Sequence, residues 1–349
     1  MIDLKTKKVF LVGNMMDKQS ASYILQSLLP TECRVAPFDN RIITKHIGSE
    51  KMNEKLVVDV GRLKPDMLLV LKGLDISRQA LLKLKGITTT VCWIFDVTID
   101  GVPVEEHIEY LDKIKLYDYF FTISRGSVKK LRDKGVNAYW LPEACFPQEH
   151  GRHELNFYQE GKYGADISFL GTVGFKNMHT NRIPMLQRVI KEFPHKDIKI
   201  YGGILNEKDI PKEIMKRHTK FNMINMFHSF VCQSSKIVIG MCGWPEVELS
   251  QSARVYRTLN CGAFYLTNYI TNYEKMFNID ESGTPHFVVY RDLDDLVAKI
   301  KKYLPLEGRR KDIGKKGMEI VMKEHTFKQR LQDMAELVFG GKERWTLVN

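Results

Sequence analysis

Arg254 stands near the start of a short amphipathic stretch, Ser250 to Cys261, in which Val255 and Leu259 lie four apart and Gly262 supplies the stop. A guanidinium near a helix start suits an anion, because unpaired backbone N–H groups and the helix dipole favour negative charge there. The ordinary alternative is a surface arginine on a core helix. A second basic position, Arg182, opens another helix after the strand Ile167–Leu170 and its exit Gly171-Thr172. Gly171 admits a close backbone approach, Thr172 offers a hydroxyl, and a guanidinium can clasp a diphosphate. Ile198 to Tyr201 reads as a further strand, with Gly202 at its exit. Asp96 follows the apolar run Val91–Phe95, so it should project from the carboxyl end of a strand, where α/β proteins bind ligands. With Trp93 and Phe95 beside it, such a carboxylate could have raised proton affinity and act as general base on a hydroxyl. Its bland reading is a cap on the next turn. Asp100 is a weaker second candidate, and His46 and His107 read as surface histidines.

These groups need a scaffold that presents strand ends. Lys7–Val12 is an apolar strand running into Gly13-Asn14, followed by a helix over Ser20–Leu29. Gly13 and Asn14 are therefore candidates beside a ligand, although Gly-x-Gly-x-x-Gly is absent, which argues against a dinucleotide dehydrogenase. Further strands are predicted at 67–71, 89–95, 119–123 and 138–141, with helices between them. Alternating strand and helix with short connections is the doubly wound α/β signature. The prolines at 142 and 147 and the Gly/Tyr-rich run 151–164 read as a linker. The expected organisation is a domain over 1–150, a linker over 151–165, a second domain over 166–338, and a tail over 339–349. That tail is apolar enough to dock, with Trp345 as its candidate anchor.

Composition narrows the classes. At 349 residues, with 44% hydrophobic and 27% charged residues, the chain suits two soluble domains. No apolar run reaches the roughly 18 residues that span a bilayer, and the N-terminus lacks a signal-like apolar core. Six cysteines (33, 92, 145, 232, 242, 261) include no Cys-x-x-Cys pair, so the reading is buried free thiols in the cytoplasm and no metal centre. The net charge of +11 is uneven: residues 1–160 hold 23 Lys/Arg against 21 Asp/Glu, and the rest carries +9. Without interleaved aromatics, this pattern reads first as lysine-rich solvated helices.

The stretch Arg254-Val-Tyr256-Arg257-Thr-Leu-Asn-Cys261-Gly262-Ala-Phe-Tyr-Leu-Thr267 resembles the core motif of CgeB-like group-1 glycosyltransferases, Arg-x-x-Glu-x-x-x-Cys-Gly-x-x-x-Leu-Thr. The similarity continues through Tyr269–Phe277, Val288–Asp294 and Lys323–Arg330, covering about residues 165–338. It implies the GT-B fold, with two Rossmann-like domains facing a cleft, the nucleotide-sugar held mainly by the C-terminal one, and the tail over 339–349 crossing back to the N-terminal one. It further implies a metal-independent hexosyl transfer with no tightly bound cofactor, a UDP-sugar as donor, and a glycan or cell-surface acceptor. Donor contacts would then come from Gly171, Thr172, Arg182, Tyr201, Gly202 and Arg254. The family's ribose-binding glutamate falls at Arg257, a cation that cannot accept from ribose hydroxyls. Either Glu248 or Glu246 substitutes, or Arg257 meets a phosphate, or the protein is a non-catalytic GT-B binding module. A shorter similarity, Trp-Ile-Phe-Asp96 with Arg254-Val-Tyr256, is to phage DNA β-glucosyltransferases; it marks Asp96 as base and Tyr256 as a donor contact, and admits hydroxymethylated DNA as acceptor. Oligomeric state has no signature in the chain.

Overall fold

The computed structural model describes all residues except 1, 17–18, 100, 175–180, 221–225 and 343–349, so Asp100 and Trp345 lie outside the described residues. The chain forms two compact units, one from Met1–Glu143 together with the residues from Phe327 onward, the other from Ala144–Thr326.

In the first unit, strands β1 (Lys8–Gly13), β2 (Arg34–Asp39), β3 (Met67–Leu71) and β4 (Thr89–Ile94) are followed by a small hairpin, β5 (Thr98–Ile99) and β6 (Val102–Pro103). Strands β7 (Tyr119–Thr122) and β8 (Ala138–Trp140) complete the main sheet, whose order is β2-β1-β3-β4-β7-β8. Every pairing in it is parallel. Central strands covered on both faces must be apolar throughout, which is why Met67-Leu-Leu-Val-Leu71 shows no alternation. Helices fill the crossovers, and their starts are set by side chains: Asp39 accepts from the Ile42 N–H and Ser77 from the Ala80 N–H.

The second unit repeats the plan with β9 (Ala165–Leu170), β10 (Ile198–Tyr201), β11 (Ser235–Gly240), β12 (Tyr265–Asn268) and β13 (Val288–Tyr290), in the parallel order β10-β9-β11-β12-β13. Its core joins Ile167, Phe169, Ile237, Ile239 and Leu266 to Leu186 and Val189 of the helix Arg182–Glu192. In each sheet the strand order reverses once, between β1 and β3 and between β9 and β11. Such reversals splay the following loops apart and leave a crevice at the carboxyl ends.

The chain returns to the first unit at Phe327, earlier than the 339–349 tail expected from sequence. The helix Phe327–Gly340 packs on Ser20–Leu28, Phe327 stacks on Tyr23, and the fully buried Arg330 donates from Nε to the Pro142 carbonyl at 2.9 Å. Its apolar periodicity was legible, but periodicity alone does not say which domain a helix covers.

Gly240, ending β11, has no room for a Cβ, which would overlap the Tyr265 ring and hydroxyl. Gly61, inside the helix Ser49–Leu63, has open space around it. Gly240→Ala is therefore expected to lose about 1–3 kcal/mol by overpacking. Gly61→Ala should gain roughly 0.5–1 kcal/mol from helix propensity. Thermal unfolding of the two variants checks the opposite signs.

Candidate functional site

The second unit's reversal point carries a cluster of charge. Leaving β9, Gly171 donates its N–H to the Tyr201 carbonyl at 2.8 Å, and Val173 donates to Gly203 at 2.9 Å. The two strand exits thus run side by side past their sheet ends. They touch closely: a Cβ on Gly202, whose φ is +122°, would lie 2.5 Å from the Gly171 oxygen. A Cβ on Gly171 would stand 2.6 Å from Nη2 of Arg254. Both glycines are needed because backbone meets backbone and a guanidinium lies against the loop.

Arg182, only 4% exposed, donates from Nη1 to the Thr172 carbonyl at 2.7 Å and from Nη2 to the Met241 carbonyl at 3.4 Å. Arg254, second residue of the helix Ala253–Asn260, donates from Nη1 to the same Met241 carbonyl at 3.3 Å. Both guanidiniums lie near Phe169, with centres 5.9 and 5.8 Å from its ring centroid. Burial first, and the charge of Arg254 next, pull the Arg182 guanidinium down to about 9. It remains protonated at neutral pH. Two cations sharing one carbonyl stand within about 7 Å, where like charges repel by roughly 2–3 kcal/mol at an effective dielectric of 20. Among the described residues Arg254 makes no ion pair with a carboxylate. An anion bridging the two guanidiniums would turn that repulsion into attraction.

The surrounding supports were not foreseen from sequence. Asn268 holds the loop after β11, accepting from the Cys242 N–H at 2.7 Å and donating to its carbonyl at 3.2 Å. A ring nitrogen of His218 lies 2.8 Å from the Gly202 carbonyl. The Tyr265 hydroxyl is buried without a hydrogen-bond partner within normal distance among the described residues, and its proton is held up to about 12 by burial, against the opposing charge of Arg254. None of these carries a local motif; they meet only through strand pairing.

Other expected donor residues sit elsewhere. Tyr256 is fully buried, takes a hydrogen bond from Gln251 Nε2 at 2.7 Å, and packs against Phe277 and His325. It shapes the helix from behind rather than offering a ligand surface. Tyr201 is 2% exposed, with its hydroxyl on the Tyr163 carbonyl, so its backbone alone belongs to the loop. Glu248 accepts from Asn272 Nδ2 at 2.7 Å and lies 3.5 Å from Lys275 Nζ, while Glu246 is exposed. Arg257, half-buried one turn beyond Arg254, neighbours His150, whose imidazole is held far below its usual range by burial first and then by that charge.

In the first unit, the β1/β3 reversal opens a cavity of about 120 Å³ lined by Asn14, Ser20, Asn40, Lys72, Asp75 and Phe95 among others. Asn14 belongs to it. Gly13 does not: it is buried, and a Cβ there would come within 2.9 Å of Ala21 Cβ, so it serves strand–helix packing. Asp96 follows β4 as expected, but its partner is a cation rather than apolar rings. Its Oδ2 lies 2.6 Å from Lys72 Nζ, and both side chains are about two-fifths exposed. Lys72 and Gly73 both take positive φ, 64° and 70°, and the Tyr110 hydroxyl donates to the Lys72 carbonyl. Trp93 points inward, donating to the Leu141 carbonyl.

Sequence scanning for close cysteine pairs found no metal spacing, yet the fold gathers His228, Cys232 and Cys261 in the second unit. The usable signal was the four-residue step from His228 to Cys232, which places both on one helix face.

Residues 182–336 match the family described as glycosyl transferase-like. No curated protein sequence matches the chain. Among solved structures, HepE of Anabaena, determined with UDP and glucose, superposes with a TM-score of 0.66 at 11% identity, covering 96% of this chain and 100% of that one. Sucrose-phosphate synthase of Thermosynechococcus elongatus gives 0.66 at 10% identity over 96% and 100% of the two chains. TarM of S. aureus, as a point mutant with fondaparinux, a GlcNAc-glycerol and UDP, gives 0.56 at 12% identity over 82% and 59%. Residues 182–336 are thus similar to a glycosyl transferase-like family, and the chain shares its two-unit GT-B fold with these structures.

Proposed function

We propose that the chain transfers a hexose from a UDP-sugar to a hydroxyl of a glycan or cell-surface component, and that Arg182 and Arg254 hold the donor diphosphate. The observation that carries this is the pair of guanidiniums on the Met241 carbonyl, near Phe169 at the β9/β11 reversal. A diphosphate carries the charge and the oxygens to bridge them. As the glycosidic bond breaks, negative charge builds on the departing UDP. Guanidiniums already fixed by carbonyls stabilise that charge without reorganising, usually the largest catalytic term. Gly171 and Gly202 keep side chains out of the way, and Thr172 gives Arg182 its anchor. The UDP seen with HepE and TarM agrees with this choice of donor.

On the acceptor side, Asp96 is the proposed base for an inverting transfer, with Lys72 holding its carboxylate. The nearly balanced charge of residues 1–160 favours a glycan over hydroxymethylated DNA, because a duplex demands a basic surface and pronounced salt dependence. Six buried free cysteines accord with a reducing, cytoplasmic setting, and no helix among the described residues is long and apolar enough to cross a membrane.

Isothermal titration with UDP tests the donor site. Arg254→Ala removes a charged contact worth about 1.5–3 kcal/mol, so UDP affinity should fall roughly 10- to 150-fold with the fold intact. Unchanged affinity would sink the assignment. For Asp96→Asn, turnover should drop about 10²- to 10⁴-fold while UDP affinity stays constant. Retained turnover would remove Asp96 from the chemistry.

A further inference from the structure

We propose that His228, Cys232 and Cys261 form a buried site for a thiophilic divalent cation, with zinc its natural occupant, in the second unit. His228 and Cys232 stand four apart on the helix Met226–Ser234, and Cys261 follows the helix Ala253–Asn260. Their ligand atoms all lie within 4.8 Å of one another, and the residues are 8%, 0% and 1% exposed. The Cys232 sulfur is 3.7 Å from Nδ1 of His228. Zinc–sulfur and zinc–nitrogen bonds of about 2.3 and 2.0 Å in a tetrahedron put such atoms roughly 3.5 Å apart, so small adjustments bring the three donors onto one ion, with the fourth position open.

The donor set also suits the metal electrically. Two thiolates and a neutral imidazole cancel a dication, so a dry core gains no net charge. Two thiol protons leave to solvent as two zinc–sulfur bonds and one zinc–nitrogen bond form. The Cys261 thiol gives up its 3.0 Å contact with the Arg257 carbonyl in the exchange. A second observation points to the same place. The Thr258 hydroxyl is fully buried beside the Cys232 sulfur, and no other hydrogen-bond partner meets it among the described residues. Hydroxyls that donate to metal-bound thiolates are the usual outer support of such sites. Soft sulfur donors with one imidazole select zinc over magnesium or calcium. The bound ion would fasten the helix Met226–Ser234 to the helix that carries Arg254.

The test is cobalt substitution of the full chain, followed by absorption spectroscopy. After chelator treatment, Co²⁺ should give a thiolate-to-cobalt charge-transfer band saturating at about one ion per chain, displaced by Zn²⁺. The band should vanish in Cys232→Ser and Cys261→Ser and persist in Cys92→Ser, whose thiol lies in the first unit. Failure of wild-type protein to develop the band, its survival in both serine variants, or a Cys232–Cys261 disulfide in freshly isolated protein would each overturn the site. If the serine variants misfold, the wild-type titration decides alone. UDP binding is a separate readout, so failure here leaves the donor site standing.

Discussion

Two positive charges held side by side need an anion, and the second unit is built so that they cannot avoid each other. Arg182 is fixed by the Thr172 and Met241 carbonyls, and Arg254 is brought to the same Met241 oxygen by its helix. Arg182 cannot swing to solvent without leaving the Thr172 carbonyl unmet. The cost appears in the lowered proton affinity of Arg182, set by burial and then by its neighbour. On the proposed reading, a diphosphate would turn that repulsion into attraction. The glycines at both strand exits, the Asn268 clamp on Cys242 and the close β10–β9–β11 arrangement all act to hold that pair.

The topology explains why this happens there. In a parallel sheet, the reversal between β9 and β11 separates two loops that would otherwise close over the strand ends. Arg182 reaches the gap from the crossover after β9, and Arg254 from the one after β11. The first unit uses the same rule: its β1/β3 reversal has a cavity with Asn14 and Lys72, and Asp96 follows the neighbouring strand paired to Lys72. The same architecture thus yields a cationic crevice in one unit and a carboxylate–ammonium pair in the other.

Much of this was legible in the sequence because it depends on local signals. Glycines at strand exits, a basic residue at a helix start and a carboxylate after an apolar run all name positions that topology then gathers. What failed was side-chain direction. Tyr256 and Tyr201 sit at the right places in the chain, but helix phase and strand alternation turn both into the core. Gly13 was correctly marked as special for the wrong reason, since Ala21 rather than a ligand fills its space. His218, Tyr265 and the Met241 carbonyl depend on contacts between distant segments and leave no local trace. The same is true of Cys261 beside His228 and Cys232, and of the return to the first unit at Phe327.

The central claim is that the paired guanidiniums receive the diphosphate of a uridine nucleotide. A crystal structure of the protein with UDP tests it most directly. Phosphate oxygens are expected within hydrogen-bond distance of both Arg182 and Arg254, over the Gly171–Gly202 exits. UDP bound anywhere else, or bound in the second unit with Arg254 turned away from the phosphates, would contradict it.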